Sequence, residues 1–194
     1  MPDVINLFPQ PVYMTQNYTL TEKEKEVLMG SVDRTKLNQH VLDLPDLKLF
    51  KQFILESIYD FAYDKLKIIK DNEFYITESW VNKNEFQNSH IHFNSLLSGV
   101  FFITGGSSPL SFQRQLCNSI FPMMDIRRHE YNLSNSDCWT MPNTQNTLFI
   151  FPSSMSHFVD EKNRNNNLDR YSLAFNTYVR GTLGDYRAST ELIL

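Results

Sequence analysis

Cysteine is nearly absent: the 194 residues hold two, Cys117 and Cys138, with no metal-type spacing between them. Two thiols in a chain this long make no disulfide framework, so a reducing cytoplasm is the expected setting. No apolar run reaches membrane-spanning length, and the opening MPDVINLFPQPVY lacks the basic start and apolar stretch of a secretion signal. An excess of positive charge is missing too. Eighteen basic residues face 22 acidic ones, a net −4, which excludes the basic footprint of a nucleic-acid binder. The one local cluster, Arg127-Arg128-His129, reads as a solvated loop. Glycine is scarce at six residues, and none of them forms a phosphate-cradling loop. Ser98-Gly99 also lacks the flanking glycines of a nucleophile elbow.

What the chain does have is apolar material, 41% of its residues, enough for the core of one domain spanning 1–194. Its aromatic share of 13% suits β-rich packing or a ring-lined cleft. Residues 1–20 read as an extended lead-in. Thr21 with Glu24 forms a capping-box pattern that opens a short helix closed by Gly30. A second helix begins near Pro45, with Leu47, Phe50, Ile54, Ile58, Phe61 and Ala62 on one core-facing stripe. From residue 73 the period changes to two. YITESWVN, SGVFFIT, TLFIFP and YSLAFNTYVR read as strands. Helices over about 20–70 followed by a β core over about 73–180 predict an α+β, mainly β fold, with the helices covering one face of a barrel or sandwich. The polar stretch 105–146, with one strand-like piece at LSFQR, reads as a lid or substrate-facing loop, and NRNNNLD (163–169) as a turn region.

The chemistry rests on histidines. His90-Ile91-His92 places two imidazoles on one face if the segment is a strand. His157 follows an apolar strand and the small-residue turn SSMS, so it falls at a strand end. Arg170 and Ser172 alternate onto one face of the next strand. An arginine directed into a barrel needs a partner. That partner is either an internal carboxylate, such as Asp160 or Glu78, or a bound carboxylate ligand gripped by the guanidinium with the Ser172 hydroxyl beside it. Spacing leaves both open. His40 and His129 read as surface residues, and Trp80 as core.

Taken in order, HIHFNSLLSGVFF, LFIFPSSMSH and DRYSLAFN resemble the bacterial and phage family of 2-oxoglutarate/Fe(II)-dependent oxygenases. LFPQPVY and ESWVN are further echoes. The resemblance implies a double-stranded β-helix, a jelly-roll of the cupin kind. It implies Fe(II), 2-oxoglutarate and O2 as reactants, with succinate and CO2 as products. By position, His90, His92 and His157 become the catalytic metal ligands, with His92 where the superfamily usually carries a carboxylate. Arg170 and Ser172 become the clamp for the distal carboxylate of 2-oxoglutarate, and Asn82 a second cosubstrate contact. Phe101 and Phe102 stand where the family favours tyrosines, and Phe93 where it favours proline. The expected activity is dioxygenase hydroxylation of a small molecule or a protein side chain. A three-histidine cupin enzyme without a keto acid, using zinc for example, and a non-catalytic jelly-roll binding module are the alternatives. No membrane or nucleic-acid partner is expected. A homodimer through exposed strand edges is, and the cytoplasm would be the host's if a phage carries the gene.

Overall fold

The computed structural model describes residues 5–32, 40–106, 108–115, 119, 126–160 and 169–194. Cys117, nearly all of the 163–169 turn and part of the 105–146 stretch lie outside the described residues. Among the described residues, ten strands form two facing antiparallel sheets. They are β1 (Tyr13–Thr15), β2 (Asn72–Lys83), β3 (Gln87–His90), β4 (Leu97–Phe102), β5 (Leu110–Gln113), β6 (Cys138–Thr140), β7 (Leu148–Pro152), β8 (His157–Val159), β9 (Tyr171–Leu183) and β10 (Leu192–Ile193). The larger sheet runs β1-β7-β4-β9-β10, with β2 also paired to β9; the smaller runs β3-β8-β5-β6. This is the jelly-roll that the motifs imply.

Helices back the larger sheet. In α1 (Glu22–Met29) the Thr21 hydroxyl accepts from the Glu24 backbone while the Glu24 carboxylate accepts from the Thr21 backbone. That reciprocal cap satisfies two donors that a helix start leaves orphaned. Leu44 and Pro45 lead through a 3-10 turn into α2 (Lys48–Tyr59), and a wider π-type turn carries the helix on to Lys65. Its stripe of Phe50, Ile54, Ile58, Phe61 and Ala62 is fully or almost fully buried against the sheet.

The apolar runs of β4, β7 and β9 alternate between two cores. Phe101, Leu148, Ile150, Leu173 and Phe175 face the helices. Val100, Phe102, Phe149, Phe151 and Ala174 face the second sheet. A strand covered on both sides reads as a continuous apolar run, which is how SGVFF and TLFIF appear in sequence. Gly99 is required by close packing: a Cβ there would overlap the Phe175 ring.

Three expectations need correction. The lead-in contains a short strand, β1, on the sheet edge beside β7. The stretch 105–146 holds a second strand besides β5, since β6 pairs with it through Ser111↔Thr140 to Gln113↔Cys138. Finally, only His90 of the His-x-His pair lies on a strand; β3 ends there, and His92 falls in the turn that follows.

Candidate metal centre and cosubstrate pocket

His90 and His157 are direct cross-strand partners, because β3 ends on one and β8 opens on the other. Opposed residues of an antiparallel pair share a face, so the two imidazoles meet, with ring centres 4.4 Å apart. His92 reaches them from the turn. Its backbone N–H donates to the Ser153 carbonyl at 3.0 Å, and its ring stacks on His157 with centres 5.0 Å apart and planes 5° from parallel. One ligand nitrogen from each of the three histidines lies within 4.8 Å of the others.

The second nitrogens explain the orientation. His90 Nδ1 lies 2.8 Å from the Asn88 carbonyl and His157 Nδ1 lies 3.0 Å from the Met155 carbonyl. A carbonyl only accepts, so each Nδ1 carries the proton and each Nε2 keeps its lone pair. Metal-binding histidines use this arrangement to fix their tautomer. His92 Nε2 and His157 Nε2 face each other at 3.2 Å. The His157 lone pair at that separation is met either by an Nε2–H of His92 or by a cation shared between the rings, and a divalent ion fits the donor set.

Burial favours the neutral form of His92 and His157. His157, 4% exposed, has its pKa pushed down to about 4, chiefly by burial and further by His90 and His92, against the pull of the Met155 carbonyl. His92 is lowered by burial and by His90, with Glu78 opposing. Neutral imidazole is the form that ligates, so protons compete weakly with a metal here. The shift also predicts an acid weakness of the metal-free chain. Unfolded imidazoles take up protons near 6.5, whereas His157 resists until about 4. Between those values the unfolded state holds more protons, so stability falls as pH drops. His157 alone contributes a loss on the order of 3 kcal/mol by pH 4. Urea midpoints measured from pH 7 to pH 4 should fall steeply in the native sequence and less steeply in His157→Ala.

Strand pairing lays the rest of the site out in rows on the inner face of the larger sheet. Glu78, Asn176 and Ser98 form the row nearest the histidines; Trp80, Ala174 and Val100 form the next; Asn82, Ser172 and Phe102 form the third. The first row is a hydrogen-bonded chain that the sequence reading missed. Asn176 Nδ2 donates to Glu78 Oε1 at 2.6 Å, Ser98 donates to Asn176 Oδ1 at 2.7 Å, and Ser98 and Ser153 hydroxyls meet at 2.8 Å. Ser153 also accepts the His92 N–H on its carbonyl, so this chain ties the His92 turn to the sheet. Three residues of the SGVFF, FPS and R-x-S-x-x-FN motifs thus meet in one place.

At the other end, Arg170 is 3% exposed and Ser172 fully buried. Both line a cleft shared with His92, His157, Trp80 and Asn82. Among the described residues no ion pair involves Arg170, and Glu78 is instead engaged by Asn176. One guanidinium nitrogen donates to the Glu85 carbonyl at 3.3 Å, and the group lies 5.7 Å from the centre of the Phe102 ring. Arg170 Nε and Ser172 Oγ are buried with no hydrogen-bond partner. Burial lowers the Arg170 pKa to about 10, with the Glu85 charge opposing. A buried guanidinium nitrogen and a buried hydroxyl without partners in one cleft cost stability, and an anionic oxygen is what would satisfy both. Asn82 is buried in the same cleft, opposite Ser172 in the ladder.

The two phenylalanines at tyrosine positions part company. Phe102 faces Arg170, whereas Phe101 packs edge-on against Phe50 in the helix-side core. Only the hydroxyl missing from Phe102 bears on the pocket. Phe93 is 81% exposed and His40 is exposed, and His129 is not among the converging imidazoles. Trp80, read as core, is half-buried, and its ring lies 6.1 Å from that of His92. Among the described residues no helix is long and apolar enough to cross a membrane.

Comparison with known proteins agrees with the fold. The chain aligns over 93% of its length with 85% of the non-heme α-ketoglutarate-dependent carbocyclase SnoK from nogalamycin biosynthesis, at 11% identity and a TM-score of 0.56. It aligns over 90% of both chains with a Pseudomonas putida prolyl-4-hydroxylase, at 14% identity and a TM-score of 0.52. It also covers 62% of a 2OG-Fe(II) oxygenase family oxidoreductase from Burkholderia pseudomallei, with 72% of this chain, 12% identity and a TM-score of 0.49. No curated protein sequence matches. A family model for 2OG-Fe(II) oxygenases matches residues 78–176, the stretch that holds all three histidines, Arg170 and Ser172. The chain belongs to the 2OG-Fe(II) oxygenase family.

Proposed function

We propose that the chain is an Fe(II)- and 2-oxoglutarate-dependent dioxygenase that hydroxylates a small molecule or a protein side chain, releasing succinate and CO2. The observation that carries this reading is that Arg170 Nε and the Ser172 hydroxyl, both buried without partners, line the cleft that also holds His92 and His157. A zinc hydrolase has use for three imidazoles but none for a carboxylate clamp.

In this reading His90, His92 and His157 would hold the metal. Bound Fe(II) with 2-oxoglutarate supplies oxidation of a C–H bond at the expense of O2. The chain's own part is to bind and orient. Arg170 and Ser172 take the distal carboxylate, and Asn82, on the same row as Ser172, takes a second cosubstrate contact. Trp80, Phe151 and Val159 wall the space between clamp and histidines and limit the water in it. Three neutral ligands leave the cation its full charge, which favours an anionic cosubstrate.

The test is oxygen- and Fe(II)-dependent release of succinate from 2-oxoglutarate, together with thermal stabilisation by 2-oxoglutarate. Succinate release lost in His90→Ala, His92→Ala and His157→Ala supports the reading. Metal binding without any response to 2-oxoglutarate would favour the keto-acid-independent cupin enzyme instead.

A further inference from the structure

Arg170 stands just before the first residue of β9, where the β2–β9 ladder ends at Lys83↔Tyr171. What holds its backbone there is Asn84. The Asn84 N–H donates to the Arg170 carbonyl at 2.9 Å, and the Arg170 N–H donates to the Asn84 side-chain Oδ1 at 2.8 Å. The amide oxygen of Asn84 thus takes the place of the missing ladder carbonyl. Its Nδ2 donates to Asp169 Oδ1 at 2.7 Å, and Lys83 Nζ holds the other Asp169 oxygen at 3.1 Å. Asn84 also has φ +53°, a left-handed conformation that asparagine tolerates better than most residues. That reversal ends β2 and brings the next carbonyl, that of Glu85, to the Arg170 guanidinium. One residue therefore fixes both the backbone of Arg170 and the position of its guanidinium's backbone acceptor.

We infer that Asn84 is a positioning residue for cosubstrate binding: it sets the aim of the Arg170 guanidinium toward the carboxylate it receives. The inference rests on the reading of Arg170 as the 2-oxoglutarate clamp. Asn84 itself touches neither cosubstrate nor metal.

Asn84→Gly isolates this role. Glycine adopts the left-handed backbone without strain, so the turn is kept while the side-chain clamp is lost. Binding of 2-oxoglutarate to the Ni(II)-loaded protein is measured by calorimetry, beside the native sequence and Arg170→Met. Asn84→Gly should bind 2-oxoglutarate roughly five- to tenfold more weakly, with Ni(II) affinity near native and the melting temperature lowered by a few degrees through the two side-chain hydrogen bonds lost. In turnover, KM for 2-oxoglutarate should rise with kcat unchanged. The exchange Asn84→Asp with Asp169→Asn rebuilds the side-chain bond with its donor and acceptor reversed, and should restore binding to within about twofold. Native affinity in Asn84→Gly while Arg170→Met fails to bind overturns the inference and leaves the clamp reading intact. So does no rescue by the exchange. Native affinity in Arg170→Met overturns the clamp reading itself.

Discussion

Arg170→Met should make the protein more stable while removing its affinity for 2-oxoglutarate. Those opposite signs separate a functional arginine from a structural one. The guanidinium is buried, its Nε has no partner, and its pKa is driven down by burial. A buried donor left without a partner costs about 1–3 kcal/mol, a cost that an apolar side chain of similar volume does not carry. The methionine side chain would lie against Phe102, which now faces the guanidinium. A buried, hydrogen-bonded charge contributes far more to a ligand than a surface one, so loss of 2-oxoglutarate affinity should be about 100-fold or greater. Thermal melting and calorimetry on the same preparation measure both effects. An Arg170→Met protein that melts lower and still binds the keto acid would make Arg170 a structural residue.

The second large effect is at His157. His157→Ala should weaken divalent-metal binding by at least about 100-fold, since loss of an outer partner of a ligand alone costs roughly 10–100-fold. It should also abolish metal-dependent succinate formation. His157 is the most buried of the three imidazoles, and its ring packs edge-on at 4.8 Å against Phe151. Alanine therefore leaves a cavity, and a melting curve must accompany the titration with Co(II) or Ni(II). Retained tight binding in a folded His157→Ala protein would remove this residue from the metal centre.

Much of this was legible in the residues. The stripe from Phe50 to Ala62 has one amphipathic solution, and the Thr21–Glu24 cap is local chemistry that tertiary contacts did not disturb. SGVFF and TLFIF were readable as buried strands because both of their faces meet apolar partners. The convergence of His90 with His157 was suggested by motif order, and the cross-strand register accounts for it. Strand alternation offered a different reason for His92 from the one found. It is held by a turn and the Ser153 carbonyl, a contact between residues far apart in the chain that no local pattern announces.

The misses have the same character. β6 is only three residues, CWT, in a polar setting, so its strand-favouring Trp139 and Thr140 are too short a signal without its partner β5. Asn84 looks like a solvated loop residue until the start of β9 is placed beside it. The Glu78–Asn176–Ser98–Ser153 chain joins four segments, and each member alone reads as an ordinary polar residue. Local periodicity determines which face a side chain takes. Long-range register determines what it meets there.

The most direct test of the account is an anaerobic titration of the metal-free protein with Fe(II) and 2-oxoglutarate, followed by visible absorption. Three histidines and one arginine acting together should give a charge-transfer band that appears only when both are present, saturates at one equivalent per chain and is absent from Arg170→Met. Tight Fe(II) binding with no band and no effect of 2-oxoglutarate would contradict it.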